Sequence, residues 1–285
     1  MRGWIGELLR RPAGVFGTAV VGGVLVAALV SLFWTPYPLL RQDVAERWRG
    51  PGWSHWLGTD QIGRDILSWL LAGSRTTVFV AGWATLVAAL LGIALAAATA
   101  LSPRRIAEPL IVLVDILIAF PLLLIAMLLA AAFGGSLWVV VTAVGTGIGV
   151  NIARVVRPEV RRVIASDYVL AARASGVGPA GILARHVVPN VGPVMIVQLS
   201  YVAAVAVLAE ASLSYLGYGA PPGAASWGRS LADSQQYIGV QPASVLWPGL
   251  AIALTVLAVT LLGDALREAL DPRLRRRSVA QEAAR

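Results

Sequence analysis

The sequence has no cysteine and no lysine, and its only histidines are His55 and His186. Without cysteine the chain has no disulfide, no thiol nucleophile and no thiolate metal ligand. Without lysine it cannot contain the phosphate-binding sequence G-x-x-x-x-G-K-[ST], so we expect that it does not hydrolyse ATP by itself. The zinc motif H-E-x-x-H is missing as well. These absences exclude thiol enzymes, zinc enzymes of that type and P-loop ATPases.

Charged side chains are also scarce. They make up 13% of the chain, and 58% of its residues are hydrophobic, compared with about 25% and about 45–50% in ordinary soluble domains. A membrane-spanning helix needs about 20 mostly apolar residues. Six segments of the chain meet this requirement, namely residues 13–34, 76–101, 106–133, 136–153, 191–216 and 245–266. The sequence therefore predicts an all-α, polytopic membrane protein with six transmembrane helices.

The arginines are distributed unequally between the two ends of these spans. If both termini are cytoplasmic, 17 of the 23 basic residues lie on the inner side, as the positive-inside rule requires. Trp34, Trp138 and Trp247 then lie at outer span ends, in the headgroup region that tryptophan prefers. We therefore predict that both termini are cytoplasmic. The net charge of +8 comes from these flanking arginines and does not indicate a nucleic-acid-binding surface.

Around the spans the sequence divides into regions of different character. These are an N-terminal span with an outer linker (1–54), an outer amphipathic segment (55–75), a five-span core (76–270) that includes a long cytoplasmic loop (154–190) and a turn-rich outer loop (217–244), and a basic cytoplasmic tail (271–285). In the amphipathic segment, Thr59 or Asp60 is expected to cap a helix that lies along the membrane surface. The outer loop is expected to cover the outer mouth. The first span lacks the small-residue cleavage site of a signal peptide, so we expect it to be retained.

Two short patterns suggest enzyme sites but have simpler interpretations. Ser136 follows two glycines, yet no histidine lies within its reach, and the pattern indicates a tight turn between two spans. Gly145 and Gly149 belong to a glycine-rich stretch that lies inside a span and has no preceding strand. Glycines four residues apart in a span favour close helix packing over nucleotide binding.

Asp115 and Glu210 lie well inside predicted spans, and Asp264 lies near the inner end of the last span. Ionisable groups are costly at membrane depth and are expected to face a bundle interior or water. Asp115 and Glu210 are candidates for the lining or gate of a transport pathway. Asp115 is also explained by a hydrogen-bonded structural role, and for Glu210 the structural and pathway interpretations remain equally open. Active transport by this chain would need either an ion gradient, acting through these groups, or a partner ATPase.

The cytoplasmic loop contains a short helix with one side of small residues. In D-Y-V-L-A-A-R-A-S-G (167–176), Ala171 lies four residues before Ser175, and Ala172 lies four residues before Gly176. The glycines at the end of this segment can stop the helix, and Pro179 suits the first turn of a second one. The pattern predicts a helix, a sharp turn and a helix. A small surface of this kind suits docking into a groove on another protein.

Four blocks of the sequence, in the same order, resemble one family. The loop segment L-A-A-R-A-S-G (170–176), followed after nine residues by H-V-V-P (186–189), resembles the E-A-A-x-x-x-G-x9-I-x-L-P loop of bacterial ABC importer permeases. The segment H-W-L-G-T-D-Q-I-G-R-D-I-L-S (55–68) is similar to the outer segment of the C-type permease in dipeptide, oligopeptide and nickel importers. E-A-S-L-S-Y-L-G (210–217) with a later W-G (227–228), and L-G-D-A-L-R-E-A-L-D-P-R (262–273), complete the resemblance.

The resemblance implies a multi-pass subunit of a bacterial plasma membrane importer, embedded in the lipid bilayer. Its implied partners are a second, related permease, two ATPase subunits or domains and an extracytoplasmic substrate-binding protein, with no role for nucleic acid. ATP and magnesium would act in the ATPases, and this chain would hold no cofactor or metal. The implied ATPase-coupling residues are Tyr168, Leu170, Ala171, Ala172, Ser175, Gly176 and Pro189, and the implied outer scaffold residues are Gly58, Thr59, Asp60, Gly63, Arg64 and Asp65.

The chain departs from the family pattern at a few positions. The loop glutamate is replaced by Leu170, the isoleucine and leucine by His186 and Val188, and an arginine of the outer segment by Trp69. Peptides are the expected substrate, with nickel or a metal chelate as the alternative. An ion-coupled transporter that uses Asp115 and Glu210 is the alternative from a different class. A non-transporting scaffold would explain the spans but not the loop.

Overall fold

A computed structural model describes residue 6 and residues 8–270 of the chain. The predicted basic tail lies outside the described residues. The helices are α1 (Pro12–Phe33), α2 (Ile66–Leu101), α3 (Arg104–Ile118), α4 (Leu122–Phe133), α5 (Leu137–Ile164), α6 (Asp167–Ala174), α7 (Pro179–Ile182), α8 (Val188–Tyr215), α9 (Trp227–Ser234) and α10 (Ala243–Leu270). A π-helical segment, Leu183–Val187, joins α7 to α8. Across the described residues no β-strand forms, which confirms the all-α prediction.

Five of these helices are long and apolar enough to cross a membrane: α1, α2, α5, α10 and the continuous run from α7 through α8. The bent pair α3 and α4 supplies the sixth span if it is counted as one. The sequence predicted one uninterrupted span over residues 106–133, and this is wrong, because the chain bends by 85° between the two helices. Pro121 explains the bend, since the residue before a proline is disfavoured in the α-helical conformation.

Among the described helices, α2 and α5 make the most extensive contact with each other and form the centre of the core. Small residues permit this contact. A Cβ atom on Gly145 would lie 2.7 Å from the Val87 side chain, and one on Gly149 would lie 3.2 Å from the Cα of Ala88. The packing role predicted for these glycines is therefore confirmed. Without a hydrophobic driving force between helices inside a bilayer, such close backbone approach is a main source of their association.

The outer amphipathic segment does not form the predicted surface helix. Helix α2 begins at Ile66, and its cap is Asp65, whose side chain accepts a hydrogen bond from the backbone N–H of Ser68. Neither Thr59 nor Asp60 is a cap, and the helix continues without interruption to Leu101. Residues 58–64 form a tight turn instead, because Gly58 and Gly63 adopt positive φ angles.

The outer loop is more ordered than the sequence predicted. It contains helix α9, which packs against α8 and α10, and Ser226 caps that helix by accepting a hydrogen bond from the N–H of Arg229. Gly228 fits so closely against α8 that a Cβ atom there would lie 2.0 Å from the carbonyl oxygen of Ala211. Throughout, "outer" and "inner" refer to the sides of the membrane that the arginine distribution predicts.

Candidate functional site

The predicted coupling loop has the helix, turn and helix that its sequence indicates. Val169 is fully buried and fixes α6 to the core, while Tyr168 and Leu170 on either side of it are about half exposed. Ala171 and Ser175 are exposed, and Ala172 is half-buried. The small residues available to a partner are therefore Ala171, Ala174, Ser175 and Gly176, all of which are exposed.

The turn after α6 depends on Gly176, which has a φ of +83°. Its backbone N–H donates to the carbonyl oxygen of Arg173, and the N–H of Val177 donates to that of Ala172. Pro179 then begins α7, as predicted. Pro189 does not interrupt the helix, which continues from Pro179 to Tyr215 as one apolar span. The part of the coupling loop that begins at Pro179 is thus the inner end of a membrane-spanning helix.

His186 connects the two parts of the coupling loop. It lies in the π-helical segment, and its ring is 5.9 Å from the ring of Tyr168 in α6. The backbone carbonyl of His186 also accepts a hydrogen bond from the Asn190 side chain, at 2.7 Å. Short π-helical segments occur often at functional sites.

The six predicted outer scaffold residues all lie in the turn that precedes α2. Asp60 accepts hydrogen bonds from the backbone N–H groups of Ile62 and Arg64 and from the Arg64 guanidinium, at 2.9, 2.9 and 2.6 Å. The Thr59 hydroxyl donates to the carbonyl of Glu46 and accepts from the N–H of Arg49. A Cβ atom on Gly63 would lie 1.8 Å from the carbonyl oxygen of Asp43. These residues fix the shape of the outer segment.

No role is predicted from the sequence for His55, which the structure places at the centre of this segment. Its side chain is buried, with Nδ1 2.9 Å from Asp65 and Nε2 3.1 Å from Glu46. The ring of Tyr37 stacks on it at 4.5 Å. Asp65 thereby joins the imidazole to the first turn of α2. A carboxylate that follows a histidine by ten residues gives no local sequence signal of this contact.

Glu210 is fully buried near the outer end of α8. Its Oε1 atom accepts hydrogen bonds from the hydroxyls of Ser214, at 2.7 Å, and Ser226, at 2.8 Å. Because Ser226 caps α9, these bonds connect the outer loop to α8. Of the two interpretations that the sequence left open for Glu210, this arrangement favours the structural one.

The second pathway candidate, Asp115, is half exposed and lies 3.7 Å from Arg154 of α5. Arg154 is on the inner side in the predicted orientation. Asp115 therefore associates with the inner part of α5, and Glu210 with the outer loop. The two carboxylates bond to opposite ends of the bundle and do not form a shared ion site.

A cavity of about 270 Å³ opens between the α3–α4 bend and helices α5 and α8. Most of its lining is apolar, but Asn151, Gln198 and Tyr201 also face it. None of these three residues is predicted from the sequence as a site residue. A signal was available, because Asn151 and Gln198 are the only side-chain amides within the six predicted spans.

The chain is similar to known transport proteins. Residues 88–276 match the family described as "Binding-protein-dependent transport system inner membrane component". A Brucella suis protein, provisionally named a peptide transport system permease, is 36% identical over 269 residues, which is 94% of this chain and 90% of that protein. The nickel transport system permease protein NikC of Escherichia coli is 32% identical over 255 residues, or 90% of this chain and 92% of that protein.

Proposed function

Because the chain belongs to the family of binding-protein-dependent transport system inner membrane components, we propose that it is one permease subunit of an ATP-driven importer for di- or oligopeptides. It is a multi-pass protein of the bacterial inner membrane. A second, related permease would complete the translocation pathway. Two ATPase subunits or domains would bind below it and a substrate-binding protein above it.

The coupling loop supports the dependence on a partner ATPase. Its exposed small residues, which include Ala171 and Ser175, leave space for a side chain or helix of another protein to approach the backbone. ATP binding would close the ATPase pair and displace this loop. Such a nucleotide-dependent change between inward-open and outward-open states is a two-state transition biased by ligand.

The observation that carries the proposal is the continuity of the helix from Pro179 to Tyr215. This helix begins in the coupling loop, passes the cavity at Gln198 and Tyr201, and ends at the Glu210 contact with the outer loop. A displacement at its inner end would therefore reach both the cavity wall and the outer cover. No separate linker is needed between the coupling loop and the pathway.

Peptides are favoured over nickel by the chemistry of the cavity. Amide and hydroxyl groups suit a peptide backbone, whereas metal ions need several carboxylate, imidazole or thiolate ligands. Among the described residues no cluster of three or more such ligands is placed to hold a metal. Nickel remains the second candidate because the nickel permease NikC has 32% identity to this chain.

Uptake by the complete importer tests the substrate. The chain would be coexpressed with the second permease, the ATPases and the binding protein, and the complex reconstituted in proteoliposomes. We expect ATP-dependent uptake of a labelled tripeptide that excess unlabelled tripeptide abolishes and nickel does not. Uptake of radioactive nickel without uptake of peptide would replace the peptide proposal by the nickel one.

A further inference from the structure

The cavity beside the α3–α4 bend has an unusual composition for a site at membrane depth. It lies against two helices that meet the criteria for membrane spans, α5 and α8. Apolar side chains such as Leu122, Ile148 and Val205 form most of its wall. Asn151 and Tyr201 are exposed, and Gln198 is half-buried. The polar groups are therefore accessible from the cavity.

These polar groups are poorly satisfied by the chain itself. The Asn151 amide donates one long hydrogen bond, at 3.4 Å, to the carbonyl oxygen of Gly147. Within residues 8–270, neither Gln198 nor the Tyr201 hydroxyl forms a hydrogen bond to another residue that meets ordinary distance limits. Amide and hydroxyl groups without partners are costly in hydrocarbon. This face must therefore meet water, substrate or another protein.

We propose that Asn151, Gln198 and Tyr201 form a contact site for the backbone of a peptide in transit. The inference rests on the proposed function and adds to it the residues that meet the substrate. An amide side chain offers both a donor and an acceptor, so it can pair with the C=O and N–H groups that every peptide has. The site would recognise the backbone without selecting a side chain.

The charge of the cavity agrees with such an occupant. Its lining residues are all uncharged, and the ionic groups nearest along the helices, Asp115 and Arg154, neutralise each other at 3.7 Å. Acidic, basic and neutral peptides would therefore meet no repulsive charge. The apolar walls accommodate variable side chains while the amides hold the backbone. A weak, unselective site suits a pathway from which the substrate must also leave.

Cysteine labelling in the complete importer tests this site. The chain has no native cysteine, so Gln198→Cys and Asn151→Cys can be labelled individually with a charged, water-soluble thiol reagent. The extent of reaction is read from the mass of this subunit. The matched control is Leu257→Cys, which is also about half exposed and lies as far from the outer end of α10 as Asn151 lies from that of α5.

We expect both cavity cysteines to react and the control cysteine not to react. Saturating trialanine with binding protein and ATP should slow labelling at Gln198→Cys at least threefold. Gln198→Leu, which removes the amide but keeps the shape, should lower peptide uptake about fivefold to tenfold, as expected for the loss of one or two hydrogen bonds. Copurification of the partner subunits with Gln198→Leu should remain unchanged, which shows that the complex still assembles.

The outcomes separate this inference from the proposed function. If the unmodified importer takes up trialanine but Gln198→Cys is unreactive, or its labelling is not slowed by peptide, the contact site is wrong and the peptide importer stands. Normal uptake by Gln198→Leu would also overturn the site. If the unmodified importer takes up no peptide, the proposed function itself fails.

Discussion

At the scale of single residues, Glu210 shows how one side chain can hold two parts of the molecule together. Its Oε1 atom accepts hydrogen bonds from the hydroxyls of Ser214 in α8 and Ser226 at the start of α9. Ser214 also accepts a hydrogen bond from the backbone N–H of Ala220, at 2.9 Å. The turn that leaves the membrane and the cap of the next helix thus depend on the same acceptor.

Replacing Glu210 should therefore destabilise the outer loop according to whether the acceptor is kept. Glu210→Ala leaves the O–H donors of two buried serines without an acceptor and opens a cavity, which together should cost about 2 to 4 kcal/mol. Glu210→Gln retains an oxygen in the same place and should cost less than about 1 kcal/mol. Thermal unfolding of the purified complex measures both. Equal losses in the two variants would show that the hydrogen bonds are not the source of stability.

Glu210→Gln, together with Asp115→Asn, also tests the ion-coupled alternative. A carrier driven by a proton gradient should lose uptake when these groups can no longer ionise, whereas an ATP-driven importer should retain most of it. Uptake in the presence of an uncoupler, with ATP held constant, is the measurement. Its abolition by the uncoupler would favour the carrier.

Gly63 is a second residue on which local structure depends. It has a φ of +77°, and a Cβ atom there would collide with the carbonyl of Asp43. Gly63→Ala should cost at least about 2 kcal/mol in the stability of the outer segment, from backbone strain and displacement of residue 43. The control is Gly50→Ala, whose added Cβ meets nothing within 4 Å. Limited trypsin digestion should release fragments cut in this segment from the first variant only.

At the scale of elements, the sequence predicted the spans better than the joints between them. Apolar runs identify a span because hydrocarbon demands them everywhere along its length. The outer turn at 58–64 instead depends on contacts with residues 43–49, and no local pattern contains those contacts. The periodic apolar residues after Asp60 suggested a helix, but the two positive-φ glycines prevent one. Pro121 was a local signal for the bend in the third span. The apolar residues on both sides of it nevertheless favoured the prediction of a single span.

The candidate sites also differ in how far the sequence alone could predict them. The coupling helix is a local motif, and its turn at Gly176 and its start at Pro179 follow from the residue types. The polar cavity is assembled from α3, α4, α5 and α8, so its members cannot be grouped without the fold. The His55 contacts with Asp65 and Glu46 are likewise tertiary.

Coupling between elements can be tested on the exposed side of α6. Ala171→Glu places a long charged side chain where we propose that the ATPase docks, and should lower peptide-stimulated ATPase activity and uptake at least tenfold. Ala165→Glu, exposed just before α6 and outside the small surface, should have little effect. Full ATP-driven uptake by Ala171→Glu would show that this surface does not contact the ATPase.

At the scale of the whole molecule, the orientation decides which face meets each partner. The distribution of arginines predicts that the coupling loop is cytoplasmic and the loop with α9 is outside. Single cysteines at Gln236 and Ser175, both exposed, can be labelled in intact cells with an impermeant maleimide. The Gln236→Cys variant should react and the Ser175→Cys variant should react only after the membrane is permeabilised. The reverse labelling pattern would show that every loop lies on the side of the membrane opposite to the one predicted.

The central claim is that this chain transports only as part of an ATP-driven assembly, and reconstitution with single omissions tests it most directly. ATP-dependent uptake of a labelled tripeptide would be measured in proteoliposomes that contain the complete set of subunits, each set with one member left out, and this chain alone. We predict uptake by the complete set and none by the chain alone or without the ATPases. Active transport by the purified chain, with no ATPase detectable by mass spectrometry, would contradict the account.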